Sequence, residues 1–167
     1  MTGSSNTPIL EACVETIQQG LLAENNHADR IEFCYRLDLG GLTPDHDLIR
    51  TAVNTIKIPI KIMIRPRGGD FIYSDLEVDK MKSDIRYCKS IGVEEIVLGA
   101  LNKKGGVDYK LTQMLAKLAM PMKVTFHKAI DEVSNYMNAL KTLSTMENID
   151  SVLTSGTKEN ALAGKDY

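Results

Sequence analysis

Short runs rich in β-branched residues recur along this 167-residue chain at intervals of about 28, each followed by a longer amphipathic stretch. That rhythm constrains the fold more than any other feature. Strands are expected over 9–14, 30–34, 58–64, 95–101, 123–127 and 151–154. Helices are expected over 15–25, from 43, from 74, over 109–119 and over 133–145. Thr43 reads as an N-cap, with Pro44 at the first helical position. Ser74 and Glu77 have capping-box spacing, and Leu76, Met81, Ile85 and Cys88 follow at roughly helical intervals. Strands that alternate with helices at this repeat length are βα units, and they build a parallel sheet with right-handed crossovers.

Two architectures use such units, the open doubly wound sheet and the TIM-type (β/α) barrel. The turn after the first strand, CVETIQQG, has neither G-x-G-x-x-G nor a P-loop. Several strands also carry polar residues at alternating positions toward their C-terminal ends, whereas doubly wound strands read as continuous apolar runs. Both observations favour the barrel. Eight units of this size need about 220 residues. The expected fold class is therefore α/β, a TIM-type barrel that is incomplete at about six βα units of eight. It is expected to span 9–167, behind a flexible tail over 1–8. The first and sixth strands should then present unpaired edges, and the chain should self-associate through them.

Composition narrows the function classes. The chain is 43% hydrophobic and 25% charged, an ordinary globular balance. A net charge of −2 gives no electrostatic case for binding nucleic acid or an anionic membrane. The start, MTGSSNTP, lacks the basic and apolar regions of a signal peptide, and no apolar run approaches the roughly 18 residues of a membrane span. Three cysteines are too few for a disulfide framework, so a reducing, cytoplasmic location is expected.

Residues i and i+2 of a strand share a face. Glu11-x-Cys13 and Glu32-x-Cys34 repeat one pattern on adjacent strands. Arg65 and Arg67 share a face at the end of the third strand, Lys123, Thr125 and His127 share one in the fifth, and Ser155 follows the sixth. A barrel brings such ends to one rim. Two readings of that rim are open. Glu11 and Glu32 pair with Arg65 and Arg67 and plug the barrel, or the rim is a ligand or catalytic site, as barrel mouths commonly are. For an enzyme, Glu11, Glu32 and His127 are the candidate proton carriers, and Arg65 and Arg67 suit a small anionic ligand.

If the two E-x-C segments are in register, Cys13 and Cys34 lie side by side, and two thiolates suit a soft metal such as Cu(I). Packing as small buried hydrophobes is the plainer reading, and no zinc motif is present. Cys88 reads as core, while His27 and His46 read as surface or loop residues.

Five motifs then carry a resemblance. ADRIEFC at 28–34, GGLTP at 40–44, IRPRGGDFIYSD at 64–75, VTFHKAID at 124–131 and LTSG at 153–156 resemble the CutC copper homeostasis family, in that family's order. The resemblance implies a TIM-type barrel, a cytosolic setting and a role in copper handling, with Cu(I) held by Cys13 and Cys34. It marks Glu11, Glu32, Arg65, Arg67, His127 and Ser155 as rim residues and supplies no reaction. Lys128 stands where the family has arginine, which keeps the charge and loses the planar fork. Family members continue past LTSG through two further units, so the resemblance reads this chain as a C-terminally truncated member.

Overall fold

A computed structural model describes residues 7–166 of the chain. Six of the eight residues of the expected tail lie outside this range. Six strands follow one another in space as they do in sequence: β1 (Glu11–Val14), β2 (Arg30–Phe33), β3 (Ile60–Met63), β4 (Glu95–Leu98), β5 (Lys123–Phe126) and β6 (Ser151–Val152). Every pairing is parallel. Between them run α1 (Ile17–Asn25), α2 (His46–Thr55), α3 (Asp75–Ser90), α4 (Tyr109–Ala119) and α5 (Tyr136–Ser144). The sheet curves into a half-barrel of the TIM type, as the βα rhythm implies.

Alternation along each strand separates the two faces. Ile31, Phe33, Ile62, Ile64, Ile96, Leu98 and Val124 point outward and form the main core with Ile49 and Ala52 of α2, Met81, Ile85 and Cys88 of α3, and Leu115 and Ala119 of α4. A second cluster joins Phe126 to Ile130 and to Ala139 and Leu143 of α5. Each Ile, Leu, Val, Met and Phe among them stabilises the fold by roughly 1.5–3 kcal/mol when fully buried. The concave face is different, and among the described residues its buried apolar cluster is Cys34, Met63 and Val97.

Charge fills the N-terminal end of that face. Lys61 is 2% exposed. Its Nζ lies 3.1 Å from Glu11 of β1 and 3.7 Å from Glu95 of β4, and it donates to Thr125 Oγ1 of β5 at 2.9 Å. Strands two apart in a flat sheet are separated by about 9.6 Å. One ammonium reaches both β1 and β5 because the face is concave and the lysine stem is long. Arg30 closes the cluster through Glu11.

Some local expectations shift. The capping box forms as the spacing implies, with Ser74 accepting from the Glu77 N–H and Glu77 accepting from the Ser74 N–H. Thr43 is not an N-cap. Asp45 caps α2 at the Leu48 N–H, because the Thr43 hydroxyl is bonded to the Arg65 backbone at the end of β3. Leu76 is 83% exposed rather than in line with Met81, since a step of five residues overshoots the 3.6-residue turn. The expected start of the last helix at 133 moves to Tyr136, after a 3₁₀ turn over Lys128–Glu132.

Replacing Lys61 by Met leaves Glu11 and Glu95 with Arg30 as their only cation among the described residues. We expect this variant to lose about 3 kcal/mol of stability, the cost of breaking a buried pair from one side. Denaturant unfolding of wild type and variant measures it.

Candidate functional site at the C-terminal strand ends

The C-terminal ends of the strands surround a cavity of about 280 Å³, lined by residues that include Cys13, Glu32, Met63, Arg65, Phe71 and His127. Cys13 and Cys34 lie with their sulfurs 3.7 Å apart, and each thiol donates to Glu32 Oε1 at 3.5 Å. The two E-x-C segments are not in register. Cys13 pairs with Glu32 and Glu11 with Arg30, so the thiols meet on a diagonal. The meeting survives the offset because Cys34 lies one step beyond β2, with its N–H bonded to the Val14 carbonyl. Cys13 is exposed, a consequence of its place on an edge strand, while Cys34 and Glu32 are buried.

Burial raises the Glu32 pKa, and repulsion from Glu11 adds to this, while the two thiol hydrogen bonds and Lys61 pull the other way. The Cys34 thiol is pushed far up, first by its contact with Cys13 and then by burial. Cys13, Glu32 and Cys34 thus form a compact donor set whose ligand atoms all lie within 4.8 Å of one another.

Arg65 is 5% exposed. Its Nη1 donates to the carbonyls of Leu39 at 3.0 Å and Gly40 at 3.1 Å, and its Nη2 donates to Gly69 at 2.8 Å. The guanidinium lies 4.6 Å from the centre of the Phe71 ring. Among the described residues no carboxylate forms an ion pair with it, and its Nε has no partner. His127 is 3% exposed, and its Nδ1 accepts from the Ala129 N–H at 3.2 Å while Nε2 has no partner. Burial, helped by the nearby Arg65 charge, pushes the imidazole pKa down to about 3. A Cβ at Gly99 would come within 2.6 Å of the His127 ring, so the glycine makes the space that the imidazole fills.

Other candidates lie elsewhere. Glu11 is the first residue of β1 and therefore sits at the opposite end of a parallel sheet, paired with Arg30 and Lys61. It does not reach the mouth cavity. Arg67 is engaged outside the mouth cavity, with Nε on Glu77 at 2.5 Å and Nη2 on Asp70 at 2.9 Å, tying the loop after β3 to α3. The expected pair of anion-binding arginines is thus a single one in the cavity. Ser155 lies on an adjoining cleft that shares Arg65, Phe71 and Lys128 with the mouth. Its hydroxyl lies 3.1 Å from Asp131 Oδ2, and Asp131 also accepts from Thr154 Oγ1 and from the N–H groups of Ser155 and Thr157. Burial raises the Asp131 pKa, but these bonds outweigh it and leave the group below its ordinary value. Cys88 is core, as its spacing implies. His46 lies over Tyr87 and bonds to the buried Asp84, away from the mouth.

Two contributors escaped the sequence reading, Lys61 and Phe71. The alternation K-I-M-I-R over 61–65 already places Lys61, Met63 and Arg65 on one face. Phe71 reaches the cavity from a loop, where no periodicity applies.

The depressed His127 pKa has a pH consequence. Between about pH 6.5 and pH 3 the unfolded chain binds a proton at this residue that the folded chain does not. Stability therefore rises with pH through that window and is lost on acidification. We expect His127→Gln to flatten this part of the pH–stability curve, read from thermal midpoints between pH 4 and pH 7.

The CutC family matches residues 8–167. The human copper homeostasis protein cutC homolog is 43% identical over 162 residues, a stretch covering 97% of this chain and 59% of the relative. The chain thus spans about three-fifths of that relative's length. The CutC crystal structure from Streptococcus agalactiae is 27% identical with a TM-score of 0.85, over 95% of this chain and 79% of that one. The 2-keto 3-deoxygluconate aldolase from Picrophilus torridus, at 12% identity and a TM-score of 0.60 over 86% and 56% of the two chains, shares the fold alone. By sequence and by structure, the chain belongs to the CutC family.

Proposed function

We propose that the chain serves copper homeostasis by binding Cu(I) through Cys13 and Cys34, with Glu32 as a third donor. The observation that carries this reading is the 3.7 Å separation of the two sulfurs beside a shared carboxylate. Sulfurs that share one ion at about 2.3 Å each lie at most about 4.6 Å apart, and this pair already falls within that reach. Thiolates are soft donors that suit Cu(I), and two of them with one carboxylate fall short of the four ligands of a structural zinc site. The human relative's name, copper homeostasis protein cutC homolog, supports the same reading. Exposure of Cys13 supplies an entry path to a site whose other members are buried.

The cytoplasm suits this role, because a reducing compartment keeps the thiols free. Among the described residues no helix is long and apolar enough to cross a membrane. The alternative, an enzyme acting on a small anionic metabolite, keeps Arg65 and His127 in the cavity, but Glu11 and Arg67 are engaged elsewhere. The geometry therefore favours the metal reading.

Cu(I) titration against a competing chelator tests it. The Cys13→Ser, Cys34→Ser double variant should lose more than the roughly 10–100-fold that removal of an outer partner costs, and Glu32→Gln should lose about tenfold. Cu(I) displaces thiol protons, so affinity should fall as pH is lowered. Unchanged affinity in the double variant overturns the proposal.

We also propose that the sheet edges associate with further polypeptide, including second copies of this chain. Among the described residues, β1 and β6 each have one neighbour, and Ile9 and Leu10 beside β1 are 60% and 59% exposed. Sedimentation should show a species heavier than the monomer that dissociates on dilution. A single monomeric species at all concentrations would remove this reading.

A further inference from the structure

The two cysteines of the mouth differ in access. Cys13 is exposed and lines the cavity. Cys34 is fully buried. Gly41, in the loop after β2 and at a φ of +84°, lies so close to it that a Cβ there would come within 3.2 Å of the Cys34 sulfur. Met63 packs in the same small cluster. Thiol reactivity follows access, so a reagent arriving from solvent meets Cys13 first.

The pair is nevertheless close enough for a hand-over. An ion held by one sulfur at about 2.3 Å stays within reach of a second sulfur up to about 4.6 Å away. The Cys34 sulfur lies at 3.7 Å, and Glu32 Oε1 lies 3.5 Å from both sulfurs. Copper on Cys13 therefore reaches Cys34 with the sulfurs where they stand. The space beside Cys13 limits what delivers the ion. The cavity of about 280 Å³ is at the small end of ligand sites, and Leu37, Met63 and Leu153 are in its wall. It suits the thiol end of a small molecule and not the folded face of a partner protein.

We propose that Cu(I) reaches this chain as a complex with a low-molecular-weight thiol, and that Cys13 is the entry ligand through which it passes to Cys34. The proposal rests on the copper reading of this pair. In the first exchange the Cys13 sulfur bonds to copper as one donor sulfur leaves, and the proton lost by Cys13 is taken up by the departing thiolate. In the second exchange Cys34 displaces the remaining donor sulfur in the same way, and its proton leaves on that thiol. Copper stays Cu(I) throughout, and nothing is oxidised or reduced. Between the two exchanges copper is shared by Cys13 and one donor thiol.

The test delivers Cu(I) as its glutathione complex to the full chain, with native mass spectrometry for the product and stopped-flow absorbance for the rate. Wild type should take up Cu(I) and keep no glutathione. Cys34→Ser removes the second incoming thiol at nearly constant volume, and should accumulate an adduct that carries both Cu(I) and glutathione. Cys13→Ser should load at least about tenfold more slowly than wild type. Cys13 is exposed, so this variant tests the order even where Cys34→Ser folds poorly. Competition against a chelator without glutathione reads copper binding separately. No Cu(I) binding by wild type there overturns the copper reading and the loading order with it. Where wild type does bind Cu(I), glutathione retained by wild type, no ternary adduct in folded Cys34→Ser, or a wild-type loading rate in Cys13→Ser overturns the loading order alone.

Discussion

The concave face of this sheet depends on one ammonium group. The Lys61 ammonium donates to Thr125 on β5 and is ion-paired with Glu11 on β1 and Glu95 on β4, and so ties distant strands together across the inside of the curve. Removing a charge from water costs several kcal/mol, and mutual attraction offsets this only where the remaining hydrogen-bonding capacity is met. Here Lys61 donates to Thr125 and lies within ion-pair distance of Glu11 and Glu95. Helices cover the convex face, where apolar packing does the ordinary work of a core. The concave face has no such cover, and its charged layer takes the place of a hydrophobic one.

That arrangement gives the sheet two unlike ends. At the N-terminal end, acid and base are matched, with Glu11 and Glu95 set against Lys61 and Arg30. At the C-terminal end, matching stops. Arg65 has backbone carbonyls in place of a carboxylate, His127 has one ring nitrogen unengaged, and Glu32 shares one oxygen between two thiols. All strands run in one direction, so these groups collect where the chain leaves the sheet for its loops. The contrast places chemistry at the mouth and structure at the base.

Legibility in the sequence followed the same division. Periodicity identified all six strands, because a β-strand under helices must alternate. The capping box at Ser74 and Glu77 was equally plain, since it depends on four consecutive residues. The meeting of Cys13 with Cys34 was also legible, although the reason differs: an offset pairing and a diagonal contact replace matched registers. Two things were hidden. One was the end of the barrel each polar residue faces, and Glu11 was placed at the mouth although it begins its strand at the base. The other was how each arginine is engaged. Arg67 meets Glu77 ten residues on, and Arg65 meets Leu39 and Gly40 across a different loop, contacts that depend on how the chain folds back and leave no periodic trace.

The strand order has a further consequence, for the way the molecule forms. Each strand pairs with the one made just before it, and the longest reach, Lys61 to Glu95, spans 34 residues. Loops of this length differ little in the entropy needed to close them, so no one pairing is set apart by its reach. Each βα unit that leaves the ribosome therefore finds its strand partner already made. The charged base fits this sequence of events. Arg30 of β2 meets Glu11 of the preceding strand, and Lys61 of β3 meets the same carboxylate, so each cation finds its partner on a strand made earlier.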